Sequence, residues 1–444
     1  MEKTRGLSPL LTKFLAVLCL VMNYFLGIDF GTSGVRAIAI DPNGEIVAIS
    51  RGDYDIRDCV SWENTLYEII ASLPINIRQN IKKIVIDGTS ATVLICDRNG
   101  KVISVPMIYS DACAPEILAQ VKVIAPPQHL VGSATSSFAK LISLVQSESS
   151  KQETYFLHQA DWLSYLMHGK LGVSDYHNTL KLGYEPQLLR YPDWLKAWAL
   201  KNPQLVLPKV FAPSTCVGII QEAIASRLNL PLNCAIAAGT TDSNAAFFAA
   251  VGIPELGTAV TSLGSTMVLK VLSDRAINNA EYGIYSHRYD HPKWGCLWLV
   301  GGASNVGGAV LRQFFSDLEL QVLSDRIDPQ ISSPLDYYPL PKIGDRFPIN
   351  DPHLIPRLEP RPDNAVEFLH GLLESMSRIE AEGYALLQEL GASPVQKVYT
   401  AGGGAKNQVW TKIRDRYLRV PMQDAIQPEA AYGAALLAKG NIGN

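Results

Sequence analysis

The stretch "YFLGIDFGTSGVRAIAI", Tyr24 to Ile40, constrains this chain more than any other. Two apolar, strand-like runs flank a turn of Gly31, Thr32, Ser33 and Gly34, and "PNG" then turns the chain into a further strand, "EIVAIS". A second stretch, "AVTSLGSTMVLKVLS", has the same order of strand, Gly-Ser-Thr turn and strand. The match is short, and alone it is weak support for duplication. Two similar halves facing each other would nonetheless enclose a cleft, where small-molecule sites usually lie.

Other segments fill in the class. "IKKIVIDGTSATVLICD" is another strand-turn-strand, and "DWLSYLMHGKL" has a helical pattern. "KVYTAGGGAKNQVWTKIRDRYLRV" runs strand, glycine turn, amphipathic helix, and "EAAYGAALLA" is an alanine-rich helix. Mixed strands and helices indicate α/β architecture. A length of 444 residues exceeds one usual core and implies two or three domains. Pro208, Pro213 and Pro231 punctuate the approach to a new strand-turn-helix at Cys234, so the expected boundary is near residue 230, giving domains 22–230 and 231–444.

The net charge of −3 gives no overall bias toward nucleic acid or anionic membrane, so an anionic ligand must be held locally. The seven cysteines are scattered and include no CxxC pair, which fits reduced cysteines in a cytoplasmic protein rather than a zinc or disulfide framework. The histidines show no ligand spacing. Lys3, Arg5 and the apolar run Phe14 to Met22 look like parts of a signal peptide, but no small-x-small cleavage site follows. The run is shorter than the ~20 residues that span a bilayer. The expectation is that residues 1–21 are a dispensable extension, with the enzyme starting at Met22.

Five constellations carry possible chemistry. Asp29 stands just before the Gly31–Gly34 turn, where Gly31 lets backbone amides approach a phosphate and the Thr32 and Ser33 hydroxyls can donate to it. Arg36 adds a cation on the returning strand, and Asp29 is placed to hold a hydrated magnesium or a substrate hydroxyl. A plain hairpin turn is the competing reading. Asp242 in "GTTDSNAAFF" starts a helix, whose N-terminus favours its ionised form, so it can accept a proton from a substrate hydroxyl; plain helix capping is the alternative. Gly264, Ser265 and Thr266 offer a second amide-and-hydroxyl loop. Gly402, Gly403 and Gly404 permit close approach to a flat ring or ribose, with Asn407 and Trp410 three apart on the following helix to bond and stack on a base; a core tryptophan is the alternative. Gly308 opens a helix at "VGGAVLRQFF" close to a nucleotide or to another element.

The order of these pieces resembles the FGGY carbohydrate kinases, in the actin/hexokinase/Hsp70 superfamily. "IDFGTSGVRA", "SSFAKLISL", "DWLSYLMHGKLGVSDYHNTLKLGY", "GTTDSNAAF", "TSLGST", "GGASNVGGAVLR" and "AGGGAKNQVW…EAAYGAALLA" carry the resemblance, which covers nearly everything from Met22 onward. It implies two ribonuclease-H-like (actin-like ATPase) domains flanking a central cleft, with ATP and Mg2+ as cofactors. It also implies that Asp242 is the general base and that Asp29 lies near magnesium, through water, and substrate. Thr32, Ser33 and Arg36 fall on the first phosphate motif and Ser265 on the second, while Gly308, Gly403 and Asn407 match nucleotide contacts. "SDYHNTLKLGY" looks like the sugar-covering segment of xylulokinase-like members. Those members carry Ser-Gly-Gln-Met-His where this chain has "DGTSATVLICD". That departure, with "GTSATV", is similar to xylulokinase-like D-ribulose kinases of photosynthetic organisms, and it makes Ser90 a candidate sugar contact. The expected activity is phosphorylation of a pentulose, D-ribulose before D-xylulose. A nucleotide-switched binding protein of the actin or Hsp70 type is the alternative, and it would need a partner domain or polymer surface.

Overall fold

The computed structural model describes residues 23–147 and 152–440. The apolar N-terminal run and the expected start at Met22 lie outside the described residues.

The first hairpin forms as expected. Strand β1 (Tyr24–Gly31) returns as β2 (Gly34–Ile40) through a two-residue loop of Thr32 and Ser33, and β3 (Ile46–Gly52) follows antiparallel. Gly34 closes the loop at φ +122°, a conformation that favours glycine. Strand β4 (Ile81–Gly88) then lies parallel to β1 on its other side. The expected strand-turn-strand at "IKKIVIDGTSATVLICD" does not pair with itself: β5 (Val93–Asp97) leaves for a smaller sheet with β6 (Thr154–His158) and β8 (Leu205–Val206). Strands β7 (Val173–Asp175) and β9 (Lys209–Phe211) make a separate pair. Strands β10 (Cys216–Ile219) and β11 (Ala235–Ala237) complete the first large sheet in the order β10-β11-β4-β1-β2-β3, and β12 (Thr240–Thr241) joins β4. The first sheet therefore runs past residue 230, as far as Thr241.

The second sheet holds β13 (Thr258–Leu263), β14 (Met267–Ser273), β15 (Tyr285–His291), β16 (Gly295–Ser304), β17 (Lys397–Ala401) and β18 (Met422–Asp424), in the order β15-β16-β14-β13-β17-β18. Its centre repeats the first. β13 and β14 form the hairpin, β16 follows antiparallel, and β17 then β18 lie parallel on the far side, as β4 then β11 do in the first sheet. The short sequence repeat is thus the visible part of a topological one.

Seven helices matter to the site: α1 (Ser137–Ser147), α2 (Gln159–His168), α3 (Asp242–Val251), α4 (Gly308–Phe314), α5 (Ala365–Glu389), α6 (Gln408–Leu418) and α7 (Ala430–Lys439). Helices α3 and α7 pack together between the two sheets. The alanine-rich composition of α7 is what permits this: a Cβ on Gly433 would collide with the Ala245 carbonyl, and one on Gly27 with Ala431. Ile38, Val85, Phe247, Phe248, Val260 and Leu272 form one buried core that spans both sheets through these helices. Burying side chains of this size stabilises the join by about 1.5–3 kcal/mol each. None of the described helices is long and apolar enough to cross a membrane.

Candidate active site

At the mouth of the first hairpin, strand register brings two carboxylates together. Asp29 on β1 lies beside Asp87 on β4 and opposite Arg36 on β2. Asp29 is 4% exposed and Asp87 fully buried. Asp29 Oδ1 and both oxygens of Asp87 have no hydrogen-bond partner apart from each other. Burial pushes Asp29 up to about 6, against the hydrogen bond shared with Asp87 and the charge of Arg36, while the charge of Asp242 adds to the rise. Burial, then the charge of Asp29, holds Asp87 well above the usual carboxylate range. Two buried acids left to each other are costly unless a proton or a cation joins them. A proton shared between them would meet that cost in the ligand-free protein, and a cation would meet it as well.

The turn above them is braced. A Cβ on Gly31 would come within 3.2 Å of the Asp29 oxygens, a tight contact that would make the carboxyl shift. Tyr54 donates to the Gly31 carbonyl at 3.1 Å, and Gln159 on α2 reaches both Tyr54 and the amide of Thr89. Thr32 and Ser33 stay exposed on the loop. Arg36 lies 4.0 Å from Asp29 but bonds Glu429 at 2.7 Å, the residue that precedes α7. The cation thus ties the first hairpin to the start of α7.

Asp242 is the first residue of α3, as the sequence indicates, and its Oδ1 accepts the Ser243 amide at 2.7 Å. The helix-start amide favours its ionised form, as expected, and burial works against it. Burial raises Asp242 above its usual range, against the amides of Ser243 and Ser90 and the charges of Lys270 and Lys181. Ser90 is thus brought to Asp242, through its backbone. The turn that presents it is held from behind: Lys140 of α1 donates to the Ala91 carbonyl at 2.8 Å, at a residue with φ +64°. A cavity of about 970 Å³ opens between the two halves here, lined by Ser90, Lys181 and Thr241 from one side and Lys270, His287 and Arg346 from the other. Two walls from two domains enclose a volume suited to a small ligand.

The segment expected to cover the sugar forms one edge of that cavity. Asp175 caps the turn by accepting the amides of His177 and Asn178 at 2.8 and 2.9 Å. His177 then bridges the halves, with Nε2 2.7 Å from the Arg288 carbonyl and Nδ1 2.7 Å from the Thr240 hydroxyl. Burial pushes its pKa down to about 3, so the ring is neutral. A carbonyl only accepts, so Nε2 carries the proton and Thr240 donates to Nδ1.

The other glycine motifs gather at the second hairpin. Gly264, Ser265 and Thr266 form its turn, and the amides of Gly308 and Ala309 at the start of α4 donate to Gly264 and Ser265 at 2.8 and 3.1 Å. Gly308 therefore braces this turn, with its own amide already engaged. Gly402, at φ +84°, lies against the Leu263 backbone, while a Cβ on Gly403 would meet open space. Gly404 is needed for packing, because a Cβ there would come within 2.7 Å of the Trp410 ring.

Two expected base contacts are corrected by burial and bonding. Trp410 is 3% exposed in the second core, and its Nε1 donates to Ser377 at 3.1 Å, so its ring offers no face for stacking. Asn407 caps α6: Oδ1 accepts the Trp410 amide at 2.9 Å and Nδ2 donates to Ser324 at 2.8 Å. Both ends of the amide are thus engaged in holding the start of the helix. The three-residue spacing of Asn407 and Trp410 reflects a cap rather than a pair aimed at one ligand.

Sequence reading missed Asp87, Lys181, His177, Lys270 and His287. Asp87 had a usable signal, since "IDGTS" repeats the pattern of "IDFGTS". Lys270 is a lone cation in an apolar strand, "MVLKVLS".

Residues 24–249, just over half the chain, match the N-terminal domain of the FGGY family of carbohydrate kinases. This chain belongs to that family. It is 24% identical over 456 residues to a xylulose kinase of Bacillus subtilis (strain 168), with 94% of this chain and 88% of the relative covered. To a xylulose kinase of Escherichia coli (strain K12) it is 23% identical over 421 residues, covering 88% of this chain and 84% of the relative. A xyloylose kinase from Brucella ovis has a similar fold, with a TM-score of 0.82 at 20% identity over 95% of this chain and 90% of that one. The two-domain α/β architecture is that of FGGY kinases.

Proposed function

We propose that the chain transfers the γ-phosphoryl group of ATP to the primary hydroxyl of a pentulose, with Asp242 as the general base. The observation that carries this reading is the position of Asp242: at the start of α3, beside the Ser90 amide and between Thr241 and Ser243, which line the cavity between the halves. A sugar hydroxyl in that cavity would give its proton to Asp242 as it attacks phosphorus in line. The exposed turns at Thr32–Ser33 and Gly264–Thr266 would hold the phosphates, and the open face of Gly403 would lie against the nucleoside. Asp29 and Asp87 would hold Mg2+, which when bound neutralises charge on the phosphates. Closure of the halves around both substrates would keep water from the γ-phosphate.

The names of the relatives support D-xylulose as the substrate. One observation favours D-ribulose instead. The turn that carries Ser90 reads "DGTSATV", unlike the Ser-Gly-Gln-Met-His stretch of xylulokinase-like members, and it stands next to the base. The two sugars differ in configuration at one carbon, which a turn at the cavity wall could distinguish. ATP turnover with D-xylulose, D-ribulose, L-ribulose, glycerol and no sugar tests both levels. A rate at least tenfold above the sugar-free rate with one pentulose supports the kinase and names its substrate. Equal rates with and without every sugar would overturn it.

A further inference from the structure

Lys270 lies on β14, on the strand that leaves the second phosphate turn, and its Nζ donates to the Ser243 carbonyl and to Asn244 Oδ1, both at 2.8 Å. Those acceptors are the two residues that follow Asp242 in α3. A partly buried ammonium is therefore fastened to the first turn of the helix that carries the base, from the opposite half of the molecule. Nothing in the helix itself requires this bond, since a carbonyl in the first turn already has its partner one turn on. The lysine also faces the cavity, so it is not sequestered in the core. We propose that Lys270 is a positioning residue for the kinase reaction: it locks the Asp242 carboxylate to the hairpin that presents the second phosphate turn, and its charge keeps that carboxylate able to take a proton.

Burial of the base and the charges around it make the second part of this role necessary. Burial is what raises Asp242, and its charge in turn acts on Asp29, Asp87 and Tyr54 beside it. Lys181 opposes the rise from the sugar-covering segment, and the neutral rings of His177 and His287 complete the surroundings of Lys270. Burial pushes the Lys270 ammonium down to about 7, while the charge of Asp242 holds it up. Each group's charge thus favours the ionised form of the other. Removing the lysine would leave Asp242 with burial against it and Lys181 as the other cation named beside it.

The inference rests on the kinase reading, and its test combines turnover with a readout that does not need turnover. In the full chain, Lys270→Met removes charge and bonds, Lys270→Gln keeps one donor without the charge, and Lys270→Arg keeps the charge. Both neutral variants are expected to lose about ten- to a hundredfold in kcat, the scale of a misplaced catalytic group. Sugar KM should stay within about threefold, the acid limb of the kcat profile should move to higher pH, and Lys270→Arg should recover most of the loss. A neutral variant with wild-type kcat and an unmoved acid limb would overturn the proposal. So would failure of Lys270→Arg to recover the rate. Independently, the 13C carboxyl resonance of Asp242, assigned by its loss in Asp242→Asn, should titrate at higher pH in Lys270→Gln than in wild type. An unchanged titration overturns the proposal even if no sugar in the panel is phosphorylated, so its failure and that of the kinase reading are told apart.

Discussion

The two sheets place different chemistry at equivalent positions. In the first, the residue two before the end of the hairpin strand is Asp29, and its parallel neighbour on β4 is Asp87. In the second, the same positions are Thr261 on β13 and Thr400 on β17. The threonines are fully engaged: Thr261 bonds Glu380 and Tyr384, and Arg414 donates to Thr400 at 2.8 Å while pairing with Glu380 at 2.6 Å. The two acids have no partner but each other. One topology thus serves twice, once with two buried acids left to each other and once as a closed scaffold. A closed network stabilises the fold, whereas unpaired buried charge weakens it and marks function.

The largest effect should come where the two halves meet. Asp242→Asn is expected to lower kcat by about 10²–10⁴-fold with little change in unfolding temperature; steady-state kinetics and thermal melting check this together. Glu380→Ala strikes the closed scaffold and leaves Arg414 buried without its partner. It should destabilise the protein by about 3–5 kcal/mol, read by denaturant unfolding. Turnover per folded molecule should change far less than for Asp242→Asn.

Asp87→Asn should do the opposite to stability. Because burial raises Asp29 from its ordinary 3.8 to about 6 and raises Asp87 as well, the native state holds protons that the unfolded chain has released. Stability of the ligand-free protein therefore falls as pH rises from about 3.8 through 6. Asp87→Asn should flatten that fall and raise stability near pH 7.5 by about 1–3 kcal/mol, while weakening Mg2+-dependent ATP binding. Melting curves at pH 5 and 7.5 check the first part, and calorimetric titration with and without Mg2+ the second. A loss of stability at pH 7.5 would place Asp87 in the scaffold instead. The smallest effect is Trp410→Phe, which gives up the bond to Ser377 for about 1 kcal/mol and should leave ATP affinity unchanged.

The same contrast explains what could be read from the chain. Local patterns predict local structure, so the Gly31–Gly34 turn, the helix start at Asp242 and the alanine-rich α7 are all legible. The duplication was visible only at the two hairpins, because the rest of each half differs in sequence and agrees in topology. What stayed hidden depends on register and long-range packing. Asp29 and Asp87 are neighbours through a parallel pairing that no short motif encodes. Lys270 reaches Ser243 across the halves, and Trp410 is withdrawn into the core by packing against Gly404. The spacing of Asn407 and Trp410 gave the correct face and the wrong purpose, since a cap and a base-binding pair share that geometry.

The central claim is that Asp242, in the cleft between these unlike halves, takes the proton from a sugar hydroxyl during phosphoryl transfer. The most direct measurement is 31P NMR of wild type and Asp242→Asn, each incubated with ATP, Mg2+ and the pentulose that the wild type turns over fastest. The expected result is a sugar-phosphate resonance growing with wild type and none with Asp242→Asn, although that variant still binds ATP. Sugar phosphate forming at a comparable rate in Asp242→Asn would contradict the account.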